Sequence, residues 1–184
     1  ETQIALGLDA LQSTRSIRTA VTTPAEINEV FDPIAYEKTA GVLGMIEAYV
    51  GPEKFRSGVS SYLNKYSLGN AAGEDFWTEM TRVTEKPVNR IMKSFDEQPG
   101  APLLKVKTRC VAGATEVSIA QSRFSGAPDA KPQAAQHWTL PVCVKTATGP
   151  ASCTLVTEAA QTVRAPGCGA AMINADGHGY YFTE

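Results

Sequence analysis

Residues 98–102, QPGAP, constrain this chain more than any other stretch. Two prolines and a glycine within five residues carry neither a helix nor a central strand through. The pattern on the two sides also differs. Before the break, apolar residues recur at helical spacing; after it they alternate in short β-rich runs. The chain therefore folds as two unlike parts joined near residue 99.

The first part reads as short helices. PAEINEVF places Pro24 at a first helical turn with acids following, which suits a helix start. PIAYEKTAGVLGMIEAYV carries Ile34, Leu43, Ile46 and Val50 near helical spacing, until Gly51 ends the run and Pro52 opens the next. In PEKFRSGVSSYLNKYS, the residues Phe55, Val59, Tyr62, Leu63 and Tyr66 share a face. GNAAGEDFWTEMTRVTE is a loop and then a helix with Glu74 and Asp75 in its first turn, and PVNRIMKSFDEQ is another. These five short helices, joined by tight Gly/Pro turns, imply a compact helical layer.

The second part holds the runs LLKVKTRC, TEVSIAQSRF, HWTLPVCVKT, ASCTLVTE, QTVRA, AAMIN and GYYFTE, separated by Gly, Pro, Ala and Asp. About seven strands at this spacing predict a small antiparallel β-sandwich. The expected fold is α+β in two segregated parts: an all-α lobe over 1–98 and a sandwich over 99–184. A net charge of −2 gives no basic footprint, so nucleic acid is not an expected partner. No apolar run approaches the roughly 18 residues of a membrane span. The chain opens on Glu1, with neither an initiator Met nor a basic-then-apolar leader, and reads as a piece of something longer.

Several stretches match one family in order and spacing. LDALQSTRSI resembles an LDAL-x-SSHPI stretch, and PAEINEVFDPIAYEKTAGVLGM resembles a P-x-EI-x-x-(I/L)FD-x-I-(S)Y-x-KGA-x-VL-x-M segment. GNAAGEDFW, FDEQPGAPLLKV, IAQSRF, WTLPV and GYYF resemble further signatures of the same family, which is the M1 (gluzincin) zinc aminopeptidases of the aminopeptidase N group. The resemblance covers nearly the whole chain. It implies that 1–98 is the helical end of a thermolysin-like catalytic domain and 99–184 the β-sandwich that follows.

The same resemblance implies roles. Tyr36 falls where the family carries a tyrosine that donates a hydrogen bond to the tetrahedral oxyanion formed when water attacks a peptide carbonyl. A donor fixed at developing charge is worth about 2.7–4 kcal/mol, and an ordinary phenol, with a pKa of about 10, is neutral near pH 7 and able to donate. Periodicity alone reads Tyr36 as a packed helix residue. Phe31 matches an aromatic lining the pocket for the substrate's first side chain; without the resemblance it reads as a core Phe at a helix end. Glu37 and Lys38 read as a solvated pair beside the tyrosine. Arg15 and Ser16 stand where the family has His-Pro, and Ala35 and Thr39 where it has Ser and Gly.

The family's zinc needs HExxH and a downstream Glu, and neither motif is in this sequence. Glu1 lacks the WLNEGFA-type surroundings of the third ligand. His137 and His178 are the two histidines, far apart and both in the β part. The expectation is zinc in the full-length parent, no metal in this segment, a peptide substrate, further domains packed on the helical part, and no activity from the segment alone. The competing reading is a non-enzymatic helical and sandwich module, a degenerate relative that binds or scaffolds. Its discriminator is whether HExxH lies upstream.

Cys143 and Cys153 are symmetric about a turn near residue 148, so a hairpin would set them opposite each other within disulfide reach. Trp138, Leu140, Val142 and Val144 would then share the other face. Cys110 and Cys168 could pair too, which the sequence does not decide. Disulfides would place the parent in a periplasmic or secreted setting, and the alternative is four reduced thiols in a cytosolic enzyme.

Overall fold

The computed structural model describes residues 2–127 and 135–184. Six α-helices precede seven strands: α1 Thr2–Asp9, α2 Pro24–Glu29, α3 Thr39–Val50, α4 Pro52–Lys65, α5 Gly73–Thr84 and α6 Val88–Asp96, then β1 Pro102–Val111, β2 Ala114–Arg123, β3 Leu140–Thr146, β4 Ser152–Val156, β5 Ala160–Pro166, β6 Ala171–Ile173 and β7 Phe182–Thr183. Helices and strands are segregated at the QPGAP break, as the sequence pattern requires. Both α1 and the short α2 form, which brings the helices to six.

Local chemistry explains the helix ends. Thr23 caps α2: the Glu26 N–H donates to its hydroxyl at 3.4 Å, and the Glu26 carboxylate accepts from the Thr22 and Thr23 N–H groups at 2.6 and 3.0 Å. This reciprocal box satisfies donors that a helix start otherwise leaves unpaired. Gly51 closes α3 at φ +90°, a conformation glycine adopts at little cost, and Pro52 starts α4 at once. On α6 the residues Val88, Ile91, Met92 and Phe95 are all buried, at i, i+3, i+4 and i+7.

Two burial stripes differ from the sequence pattern. On α4, Phe55, Val59, Tyr62 and Tyr66 are half-buried but Leu63 is exposed, since it lies past the edge of that face. On α3 the buried residues are Val42, Met45, Ile46 and Val50, with Leu43 only half-buried. The true stripe runs at intervals of four from Ile34 through position 38 to Val42, Ile46 and Val50, and a lysine occupies its second place.

The strands form a four-stranded sheet in the order β5-β2-β1-β7 and a three-stranded sheet in the order β4-β3-β6. The ladders between named strands are antiparallel except β1–β7, which is parallel with Leu103 opposite Phe182. Alternation sets the buried faces. Val117 and Ile119 of β2 and Val163 and Ala165 of β5 belong to the same core as Leu140, Val142 and Val144 of β3. Cys143 stands opposite Cys153 in the β3–β4 hairpin and is bonded to it, with Cα atoms 3.9 Å apart. A second disulfide joins Cys110 at the end of β1 to Cys168 in the loop between β5 and β6.

The core does not stop at the break. One apolar cluster contains Ala5, Val42, Ile46, Met80 and Phe95 from the helices and Leu104, Trp138 and Tyr180 from the β part. The Phe95 ring lies 6.4 Å from Trp138 and 6.1 Å, edge-on, from Tyr180. Gly41 of α3 lies under Tyr180, where a Cβ would come within 2.8 Å of the ring.

Candidate active site

Tyr36 is not on a regular α-helix. Ile34–Lys38 forms a single π-helical turn that runs directly into α3. Such turns are rare, and they concentrate where a side chain must be aimed. Asp32 begins the turn: one carboxylate oxygen accepts the Ala35 N–H at 3.0 Å, and its carbonyl accepts the Tyr36 N–H at 3.2 Å. Asp32 is held in turn by Arg15, through Nη2 to Oδ1 at 2.6 Å and Nε to Oδ2 at 3.2 Å. The guanidinium also donates to the carbonyls of Val30, Ser16 and Ile17 at 2.9, 2.9 and 3.1 Å. A planar fork with this many acceptors fixes its partners' geometry. The backbone on both sides of Phe31 is therefore pinned from the segment that follows α1.

Phe31 and Tyr36 come together on this backbone. Their ring centroids are 6.2 Å apart, and the residues are 61% and 56% exposed. Neither is a core residue, so packing does not account for either ring. Of the large apolar side chains left exposed, Ile4, Leu11, Val21, Ile27, Phe31 and Tyr36 all fall in the first 36 residues, against Leu63, Leu68 and Met172 elsewhere.

Lys38 corrects the sequence reading. Glu37 is half-buried, but Lys38 is fully buried and is not part of a solvated pair. Its ammonium lies 3.0 Å from Asp9 Oδ2 and donates to the Gly100 carbonyl at 3.0 Å. Asp9, also fully buried, accepts the Tyr180 hydroxyl at 3.0 Å on Oδ2 and the Thr14 hydroxyl at 3.1 Å on Oδ1. Burial pushes the Lys38 ammonium below its ordinary value, and Asp9 opposes that shift. Burial first, and then the Asp9 charge, push the Tyr180 phenol far above its ordinary value, so it stays a donor. The one local signal was spacing, which does not tell a buried charge from an exposed one: Lys38 sits in step with Ile34, Val42, Ile46 and Val50, and Asp9 lies four residues after Ala5.

The other candidates lie apart from the aromatic pair. His137 is exposed just before β3, and His178 is exposed after the turn Ala175–Gly177. Glu1 lies outside the described residues. Among the described residues, no three His, Cys, Asp or Glu side chains are grouped to hold a metal ion. Thr39, which follows the turn, carries a buried hydroxyl with no partner among the described residues.

Comparison with known proteins matches residues 1–95 to the peptidase family M1 domain. Aminopeptidase 2, mitochondrial, of Saccharomyces cerevisiae is 32% identical over 183 residues, 99% of this chain and 19% of its own length. Tricorn protease-interacting factor F2 of Thermoplasma acidophilum is 38% identical over 151 residues, 81% of this chain and 18% of its own. Probable aminopeptidase 2 of Sulfurisphaera tokodaii is 41% identical over 124 residues, 67% of this chain and 15% of its own. The chain thus spans less than a fifth of the length of these relatives.

Proposed function

The chain belongs to peptidase family M1, and on that premise we propose that it is a segment of a zinc-dependent aminopeptidase in which Tyr36 donates to the oxyanion of the scissile amide. Residues 1–98 are then the helical end of the catalytic domain, and 99–184 a sandwich domain that serves as a spacer. One observation carries the reading: the exposed ring of Tyr36, on the π turn, lies 6.2 Å from the exposed ring of Phe31, just before the turn, and the Arg15–Asp32 pair pins the backbone between them. A held backbone with an exposed phenol suits a donor aimed at a substrate better than a side chain packed within this segment.

The chemistry assigned to this segment is limited. Water adds to the amide carbonyl, the carbonyl oxygen takes up the negative charge, and the C–N bond then breaks as the leaving amine gains a proton. Tyr36 stabilises the charge between those two events. Phe31, 6.2 Å away, lines the space for the first side chain of the peptide. Zinc belongs to residues of the full-length protein other than those described, and the segment alone has no activity. The other exposed apolar residues of the first 36 positions, Ile4, Leu11, Val21 and Ile27, are where the remaining parts of the protein pack. The two disulfides favour a periplasmic or secreted parent.

The test compares wild-type full-length protein with Tyr36→Phe on amino-terminal amide substrates, with metal content measured in both. The expected result is a fall in kcat on the order of 10²–10³ with metal retained. An unchanged rate overturns the assignment.

A further inference from the structure

We propose that the buried Asp9–Lys38–Tyr180 cluster is a positioning device for the Tyr36 phenol, so that the β part of the chain takes part in aiming the side chain assigned to the oxyanion. The inference rests on the reading of Tyr36 given above, and it assigns positioning roles to three residues that contact no substrate.

The geometry is specific. Lys38 is the last residue of the π turn and Tyr36 its middle residue. Two residues apart on a helical turn, side chains point to nearly opposite sides, roughly 200° apart on an α-helix. Tyr36 is exposed and Lys38 is fully buried, as that opposition requires. Whatever holds the Lys38 ammonium therefore sets the rotation of the turn about its own axis, and with it the direction of the phenol. Arg15 and Asp32 hold the start of the turn, and the lysine cluster holds its end.

Four separate parts of the chain meet in the cluster, Asp9 and Gly100 at the ammonium and Tyr180 through Asp9. Asp9 comes from the end of α1, Lys38 from the π turn, the Gly100 carbonyl from the QPGAP break, and Tyr180 from the segment before β7. Gly100 has φ +89°, and a Cβ there would come within 2.4 Å of Arg123 Nε, so the carbonyl is presented from a backbone only glycine fits. Tyr180 itself is wedged between Gly41 and Phe95 and cannot drift.

Energetics argue against a purely stabilising role. Removing an ammonium and a carboxylate from water costs several kcal/mol per ion, and replacing a buried pair with packed apolar residues is often neutral or favourable. An apolar residue at position 38 would also continue the stripe of Ile34, Val42, Ile46 and Val50. What an apolar residue would not supply is direction: two directed contacts, to Asp9 and to Gly100, define one orientation of the turn.

The experiment uses the full-length protein, with Tyr180→Phe, Lys38→Met and Tyr36→Phe made singly and Tyr180→Phe also combined with Tyr36→Phe. Tyr180→Phe removes one hydroxyl and keeps the ring, so the fold is retained. A displaced phenol loses rate, and a misplacement of about 1 Å costs up to 10²-fold. Tyr180→Phe is expected to lower kcat on the order of tenfold with KM unchanged, and to have no further effect once Tyr36 is Phe. Hydrogen exchange at the amides of 35–39 is expected to quicken in both Tyr180→Phe and Lys38→Met. If Tyr36→Phe lowers kcat but Tyr180→Phe changes only the melting temperature, the positioning inference fails and the reading of Tyr36 stands. If Tyr36→Phe is silent, that reading fails; unaltered exchange at 35–39 in either network variant overturns the positioning role whether or not Tyr36 is catalytic.

Discussion

A single carboxylate on the far side of the helical part shows how strongly a partner set governs charge. Glu79 on α5 is buried to 3% of its side chain, yet it accepts from Arg82 at 2.5 Å, Ser61 at 2.7 Å and Lys65 at 3.3 Å. The Arg82 hydrogen bonds first, and then those from Ser61 and Lys65, pull its carboxyl down to about 2 from an ordinary 4.5. A folded value below the unfolded one means stability that is fully present above pH 4.5 and is lost as pH falls toward 2. Melting temperature measured from pH 7 to pH 2 should therefore drop through that window. Glu79→Gln should start lower at pH 7 and show a shallower fall below pH 4.5. Equal slopes in the two proteins would remove Glu79 from the account. At the same scale, the phenol of Tyr36 and the ammonium of Lys38 are two residues apart, with opposite exposure and the roles argued above.

At the scale of elements, the contact between α4 and α5 is set by a missing side chain. A Cβ on Gly58 would lie 2.4 Å from Met80 Sδ and 3.1 Å from its Cε. Alanine in a helix interior normally gains up to about 1 kcal/mol over glycine. Here Met80 is fully buried and has little freedom to yield. Gly58→Ala should therefore destabilise by about 1–3 kcal/mol, the usual cost of overpacking, when read by urea unfolding. A stabilised variant would show that Met80 can repack. Element boundaries were legible because capping and breaking residues act locally: Thr23 with Glu26, Gly51 with Pro52, and the QPGAP run. The π turn was not legible. Its extra residue depends on Asp32 and Lys38 meeting partners 17 and 29 positions away in the chain, at Arg15 and Asp9.

For the whole molecule, the two disulfides differ in what they constrain. Cys143–Cys153 closes a hairpin of 10 residues whose strands already pair, whereas Cys110–Cys168 spans 58 residues and ties the end of β1 to the loop between β5 and β6. Loop-closure entropy assigns roughly 3 kcal/mol to the short loop and roughly 4 kcal/mol to the long one. Replacing each pair by alanines should lower stability in that order, the 110/168 pair costing more, as read by denaturant midpoint in the oxidised protein. The opposite order would mean that the long loop is already closed by the core. That core is continuous from Ala5 to Tyr180.

The sequence by itself determined the segregation of helices from strands, the seven β runs, the buried face of Trp138, Leu140, Val142 and Val144, the opposed cysteines of the hairpin, and the motif order that marks family M1. Each rests on signals a few residues apart: periodicity, a cap, a breaker, a spacing. Only the tertiary structure decided that Lys38 is buried, that Asp9 meets it and accepts the Tyr180 hydroxyl from 171 positions away, and that β7 pairs parallel to β1. A charged residue inside an apolar stripe has no stable place until a distant carboxylate and carbonyl arrive to replace its water, and local sequence does not contain that distance.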